Sequence, residues 1–225
     1  ITVTLPQYDS VGIYEYTLIE KAGTTAGVAY YGNAIRLVVT VINGDDGKLR
    51  IAAIHTESEG ADKSDTFENT YSAGTLKISK TVTGNMGDKN KYFEFTVLLS
   101  GRSGMTYPET FAVSGGSYAQ NPKTIKLSEE TTFMLKHGDT ISIANLPYDV
   151  DYMVIEMAAD GYTTTSTNET GRISAAEQTA AFTNVKNSAV DTGVMLDSLP
   201  YVLILAAVLG VAAAMVVRRR RGAED

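Results

Sequence analysis

The chain has 225 residues, a net charge of −7, 13 tyrosines, 20 glycines and neither cysteine nor tryptophan. Without cysteine there is neither a disulfide nor a thiol nucleophile, so any covalent staple has to come from other side chains. Four arginines at 218–221 against Asp197, Glu224 and Asp225 give residues 194–225 a charge of +1, leaving −8 on residues 1–193, which speaks against nucleic acid and anionic surfaces as partners.

Alternation of apolar and polar residues dominates from the start, and no long amphipathic helix pattern precedes residue 199. The alternation predicts strands over 11–20, 34–43, 48–56, 65–71, 74–83, 92–99, 131–136, 140–145, 150–157 and 178–185. Asn43-Gly44-Asp45-Asp46-Gly47 reads as a hairpin loop, and His137-Gly138-Asp139 as a second turn. Residues 101–130, rich in Ser, Gly, Thr and Pro, read as an irregular surface excursion. Short strands with turn signals between them indicate an all-β, Ig-like sandwich architecture. The apolar run 199–217 has 19 residues, enough at about 1.5 Å per residue for a helix to cross a bilayer core. Arg218-Arg219-Arg220-Arg221 behind it stays cytoplasmic, which places the preceding residues outside the cell. The chain opens on Ile1 without Met or signal peptide; because its C-terminus demands export, it reads as a fragment of a longer sequence.

An internal repeat divides the exported part. Tyr16-Thr17-Leu18-Ile19-Glu20 matches Tyr152-Met153-Val154-Ile155-Glu156, and Phe67-Glu68-Asn69 matches Phe182-Thr183-Asn184. The second copy also has an opening strand, Leu76-Lys77-Ile78-Ser79-Lys80-Thr81-Val82, for which the first has no counterpart. The expected domains are therefore 1–72, a truncated sandwich, and 73–187, a complete one, followed by 188–225 as the anchoring segment.

Strand parity places Lys80 on one face with Leu76, Ile78 and Val82, Glu156 with Tyr152 and Val154, and Asn184 with Phe182. In the first copy Glu20 shares a face with Tyr16 and Leu18, and Asn69 with Phe67 and Tyr71. An inward Lys and an inward Glu need each other, since an unpaired buried charge costs several kcal/mol. A buried ion pair beside a satisfied Asn is one outcome of this pattern. The other is an amide bond. An apolar site lowers the Lys pKa and raises that of Glu. The neutral amine can then attack the Asn carbonyl, with the Glu carrying a proton to the departing ammonia. His55 and His137 stand far apart with no nucleophile motif nearby, so His137 reads as a turn residue and His55 as a strand residue near the surface. Asp45-Asp46 lacks the spacing of a calcium loop, and neither metal nor cofactor is expected.

Several of these stretches, taken together, resemble the sortase-assembled major pilins of Gram-positive bacteria. They are Thr75–Asn85, Leu135-Lys136-His137-Gly138-Asp139, Asn145-Leu146-Pro147, the Phe182-Thr183-Asn184 ending, Val11–Thr17 and Ala26–Tyr30. The resemblance implies tandem CnaB-like sandwiches, each closed by a Lys–Asn isopeptide bond between first and last strands and promoted by a Glu. It assigns Lys80, Glu156 and Asn184 to the second domain and Glu20 and Asn69 to the first, whose Lys would precede Ile1. It also implies a lysine that accepts the neighbouring subunit; Lys63 is the candidate, with Lys21 and Lys48 as alternatives. The order Val190-Asp191-Thr192-Gly193, apolar run and basic stub resembles a sortase sorting signal, cut between Thr192 and Gly193, although Asp191 stands where the family has proline. A plain single-span membrane protein is the other reading of that segment. The resemblance implies a structural role rather than an enzymatic one, at the cell surface, by way of a membrane-spanning precursor. Sortase, neighbouring pilin subunits, peptidoglycan and host surface receptors would be its partners. A singly wall-anchored adhesin or stalk is the alternative function.

Overall fold

The computed structural model describes residues 2–58, 66–188 and 203–209. Strand content dominates, and the two compact units are Ile1–Lys186 and Asn187–Asp225.

In the N-terminal part, β1 (Gly12–Leu18), β2 (Val28–Ala29), β3 (Ile35–Asn43), β4 (Leu49–Ser58) and β5 (Thr70–Tyr71) form two small sheets. One is antiparallel with the order β1-β3-β4, and the other pairs β2 with β5. The nearly unbroken apolar run of β3 suits its central place. The β3–β4 loop is the expected hairpin turn, closed by Gly44 N–H donating to the Lys48 carbonyl and Lys48 N–H to Asp46 Oδ1. Leu37, Val39 and Val41 form the buried core here, with Leu5, Tyr8, Tyr14, Tyr16, Leu18 and Leu49 packed against them.

The expected strand over 65–71 is a correction. Among its described residues only Thr70 and Tyr71 are extended, as β5, and Asn69 and Tyr71 are exposed. Instead of joining a ladder, Asn69 accepts the Tyr31 N–H through its side-chain oxygen at 2.7 Å.

The C-terminal part is a full two-layer sandwich. Its strands are β6 (Ala73–Thr83), β7 (Phe93–Ser100), β8 (Phe111–Gly115), β9 (Thr124–Ile125), β10 (Thr131–Leu135), β11 (Thr140–Pro147), β12 (Asp151–Glu156), β13 (Thr163–Thr167), β14 (Thr170–Arg172) and β15 (Glu177–Val185). Six form one layer in the order β13-β15-β6-β11-β8-β9, and four the other in the order β10-β7-β12-β14. The alternation read from the sequence is realised in burial: Leu76, Ile78, Lys80 and Val82 are buried on β6, and Phe93, Phe95, Val97 and Leu99 on β7. β6 and β15, first and last in this layer, are parallel neighbours. Residues 101–130 are not wholly irregular, since β8 and β9 lie within them and pair with each other. Gly115 at the end of β8 has φ +84°, and a Cβ there would stand 2.3 Å from the Thr140 carbonyl oxygen, so the close approach of β8 to β11 requires glycine.

Backbone hydrogen bonds tie the two parts together. Thr25 bridges Thr106, with Ala26 N–H donating to the Thr106 carbonyl at 2.9 Å and Thr106 N–H to that of Thr24 at 2.7 Å. Ser72 N–H donates to Gly27 O at 2.8 Å, and Ser72 O accepts from Tyr148 N–H at 3.0 Å. Gly27 has φ +80°, and a Cβ on it would meet the Ser72 carbonyl oxygen at 2.7 Å.

In the second unit residues 203–209 are helical and exposed. Among the described residues no helix is long and apolar enough to cross a membrane. The rest of the expected span 199–217, like Thr192, Gly193 and Lys63, lies outside the described residues.

Candidate functional site

Lys80 enters the sandwich core from β6 because it occupies an inward position of a strand whose inward neighbours are all aliphatic. It is the largest fully buried side chain among the described residues, 1% exposed, and Asn184 on the adjacent β15 is 0% exposed. In the parallel register Lys80 lies opposite Phe182 and Asn184 opposite Val82, so both side chains point into the same part of the core. Glu156 comes from β12 in the facing layer. The core thus brings together all three residues that the sequence placed there.

Lys80 Nζ donates to both carboxylate oxygens of Glu156, each at 2.7 Å. Asn184 Nδ2 donates to Oε1 of the same carboxylate at 2.5 Å, so one oxygen joins the amine and the amide. The Glu156 side chain is 1% exposed. Phe93 and Phe95 wall the amine, their ring centroids 4.3 Å and 5.7 Å from Nζ, and Phe182 meets Phe95 edge-on at 5.2 Å. Burial pushes the Lys80 amine below its ordinary pKa, against the opposing pull of the Glu156 carboxylate. Asn184 Oδ1 is buried and has no hydrogen-bond partner among the described residues. A buried amide oxygen without a donor is costly in a finished core. It is also where negative charge would gather if an amine attacked the amide carbon.

The turn after β10 grips the strand that carries Lys80. Gly138 N–H donates to the Lys80 carbonyl at 2.9 Å, and Lys80 N–H donates to the Asp139 carbonyl at 3.0 Å. Two residues on, Val82 N–H donates to His137 Nδ1 at 3.0 Å. The Asp139 carboxylate holds the turn itself, accepting from Lys136 N–H at 3.1 Å and from Ser117 Oγ–H at 2.8 Å. Sequence reasoning identified the turn but not this grip, because the partners of His137 and Gly138 lie more than fifty residues away.

The first copy repeats part of the same constellation. Asn69 Nδ2 donates to Glu20 Oε1 at 2.8 Å, repeating the bond between Asn184 and Glu156. Glu20 Oε2, at the position where the second copy has its lysine, is buried and without a partner among the described residues. Tyr31 meets Phe67 edge-on at 5.7 Å beside it. Lys21 and Lys48 are exposed, and His55 sits on β4 with Nε2 2.9 Å from Glu57 Oε1, inside a surface network with Arg36 and Glu15. Among the described residues no cluster of His, Asp and Glu could hold a metal ion.

Two family models match the chain in tandem: residues 2–72 match the Spy0128-like isopeptide containing domain, and residues 74–186 match a domain of unknown function, DUF7601. A pilin of Streptococcus pyogenes serotype M1 is 26% identical over 219 residues, covering 88% of this chain and 64% of the pilin. This chain therefore spans somewhat less than two thirds of that relative. The pilus tip adhesin Cpa of Streptococcus pyogenes is 32% identical over 130 residues, covering 54% of this chain and 18% of the adhesin. Among solved structures, the major pilin of Streptococcus pyogenes is similar with a TM-score of 0.60 and 25% identity, over 80% of this chain and 72% of that one. The major pilin T3.2 from serotype GAS13637 of the same species is similar with a TM-score of 0.58 and 25% identity, over 81% and 69%.

Proposed function

We propose that this chain, which belongs to the DUF7601 family through residues 74–186 and matches the Spy0128-like isopeptide containing domain over residues 2–72, is a structural subunit of a covalently polymerised cell-surface pilus. The observation that carries the reading is the buried Lys80–Glu156–Asn184 cluster, in which one carboxylate touches both the amine and the amide.

The chemistry follows from that arrangement. Passing one proton from Lys80 Nζ to Glu156 along a 2.7 Å hydrogen bond turns the ion pair into a neutral amine and a carboxylic acid. In a dry core two neutral groups are cheaper to bury than two charges. Nζ then attacks Asn184 Cγ, forming the new C–N bond while the carbonyl electrons move onto Oδ1. For this the carboxamide has turned over before the attack, so that Oδ1 in place of Nδ2 meets the Glu156 proton and the tetrahedral intermediate is steadied. Collapse breaks the Cγ–Nδ2 bond: Glu156 hands its proton to the leaving nitrogen, which departs as ammonia, and takes up the second proton that Nζ sheds on becoming an amide, so the carboxyl ends protonated. The fold holds the reactants together, so proximity supplies much of the acceleration. The reaction runs once per chain and is maturation, not turnover. Intact mass spectrometry tests it: the protein should weigh one ammonia less than its sequence, and Glu156→Ala should restore the full mass. An unmodified mass in the parent protein would overturn the reading.

The division into domains 1–72 and 73–187 is part of the same proposal, as is anchoring through 188–225. Thr192–Gly193 would be the bond cut by sortase, and Lys63 the amine that receives the Thr192 carbonyl of a neighbouring subunit. The apolar stretch 199–217 and Arg218–Arg221 would hold the precursor in the membrane until peptidoglycan attachment. Thr192→Ala should leave the protein uncleaved in the membrane fraction; wall attachment that survives this change would refute the sorting signal. The similarity to the tip adhesin Cpa favours a second reading, a singly anchored adhesin or stalk that meets host surface receptors. A ladder of detergent-resistant species in wall extracts supports the polymer, and a single band supports the stalk.

A further inference from the structure

We infer that His137 is a positioning residue for the bond between Lys80 and Asn184: its imidazole Nδ1 fixes, through Val82, the strand segment that delivers the amine. This rests on the maturation reaction proposed above and goes further, to what sets its rate.

In a strand the N–H and C=O of one residue point to the same side, so those of Ile78, Lys80 and Val82 all face β11. The ladder between β6 and β11 runs regularly through Ile78–Ile141 and Ser79–Thr140. It then ends, because the chain turns away at 136–139 toward the other layer. Past that point the β11 side of β6 is held by three hydrogen bonds. Two are to Lys80 itself, from Gly138 N–H and to Asp139 O, and the third is Val82 N–H to His137 Nδ1. The side chain thus replaces the ladder partner that the departing backbone no longer offers.

Val82 is the residue paired with Asn184 across the parallel register. The imidazole therefore grips the strand where the electrophile lies alongside it, one inward position from the nucleophile. Freeing Val82 N–H would let β6 lift between Lys80 and its end and shift the approach of Nζ to Cγ. Misplacing a reactant by about 1 Å is enough to cost on the order of 100-fold in rate. His137 touches neither reactant, so it positions the strand and takes no proton in the reaction. Gly138, at φ +83°, lets the turn fold back sharply enough for the imidazole to reach Val82.

The test follows ammonia loss by intact mass over time after cell-free synthesis of the full 225-residue chain. His137→Ala removes the acceptor and should slow cross-linking roughly tenfold or more. His137→Asn keeps an acceptor on Cγ, where Nδ1 sits, and should run near the parent rate. His137→Gln moves the acceptor one bond further out and should be slow. Melting temperatures of the same three changes in an Asn184→Ala background, where no bond can form, separate loss of fold from loss of positioning. Rates that merely follow those melting temperatures, or an Asn variant as slow as Ala, would overturn the inference, as would an Ala variant that matches the parent. Should His137→Ala fail to fold, the Asn and Gln variants decide alone. A parent chain that never loses ammonia would instead sink the maturation reaction, so the two failures are distinct.

Discussion

Glu20 with Asn69 and Glu156 with Asn184 make the same amide-to-carboxylate hydrogen bond, yet their surroundings differ. Around Glu156 two layers close over a large buried core, the amine is present, and both carboxylate oxygens are used. The N-terminal part that holds Glu20 has a small core, in which Leu37, Val39 and Val41 are buried; Asn69 is exposed, and one Glu20 carboxylate oxygen is buried without a partner among the described residues. Among the described residues no lysine faces Glu20, whereas at Glu156 β6 brings the amine and a second layer keeps water out, the conditions under which a neutral Lys–Glu pair would be favoured over a solvated ion pair.

The largest test of this contrast is Glu156→Ala. It should abolish the proposed cross-link and strand an unpaired Lys80 amine in the core. That bond would close a loop of about 104 residues, for which the disulfide analogy gives about 4–5 kcal/mol, and the uncompensated buried amine adds roughly 3–5 kcal/mol. Calorimetry should show the melting temperature falling by on the order of 20 °C or more. Next comes Asn184→Ala, which keeps the ion pair and removes only the electrophile. A fall of roughly 10–20 °C is expected, with full sequence mass and new tryptic cleavage between β6 and β15. Glu20→Ala should cost much less, about 0.5–1.5 kcal/mol for one hydrogen bond at an exposed amide, and leave the mass unchanged. Equal losses at Glu20 and Glu156 would break the comparison. So would a parent chain two ammonias light, since that requires an amine at Glu20.

The smallest expected effect is alkaline and confined to the N-terminal part. Tyr8 packs against Tyr14 at 4.4 Å between centroids and accepts the Tyr16 hydroxyl at 3.1 Å. Burial, then Tyr16, pushes its phenol from 10.0 up to about 12. A folded-state value above the unfolded one means that this contribution is whole below pH 10 and fades as pH rises toward about 12. Tyrosine absorbance should titrate late, and Tyr8→Phe should remove the late component without touching the mass change.

The sandwich core was legible because burial of one face of β6, β7 and β11 imposes a period of two that side chains cannot hide. Lys80 stood out as a charged residue in phase with Leu76, Ile78 and Val82. The strands the sequence concealed are short, like β9 and β14, or solvent-exposed and threonine-rich, like β13, so no apolar phase marks them. Phe67-Glu68-Asn69 reads as a strand by analogy with Phe182-Thr183-Asn184, but extension needs a neighbour to bond with, and Asn69 bonds to Tyr31 instead. The clasp between Thr25 and Thr106 and the grip of His137 were hidden for one reason. Their partners are backbone groups, which no residue type announces.

The parallel pairing of β6 with β15 has a mechanical consequence. Parallel neighbours enter and leave at opposite poles, so the chain comes into the sandwich at Ala73 and exits beyond Val185 after crossing its length, about 3.3 Å for each strand residue. With the proposed bond between Lys80 and Asn184 closed, tension applied between those poles would pass from β15 across one amide into β6. The hundred or so residues between them would carry none of it. A fibre built from such units would stretch only as far as covalent geometry allows, while everything that gives each unit its shape remains slack.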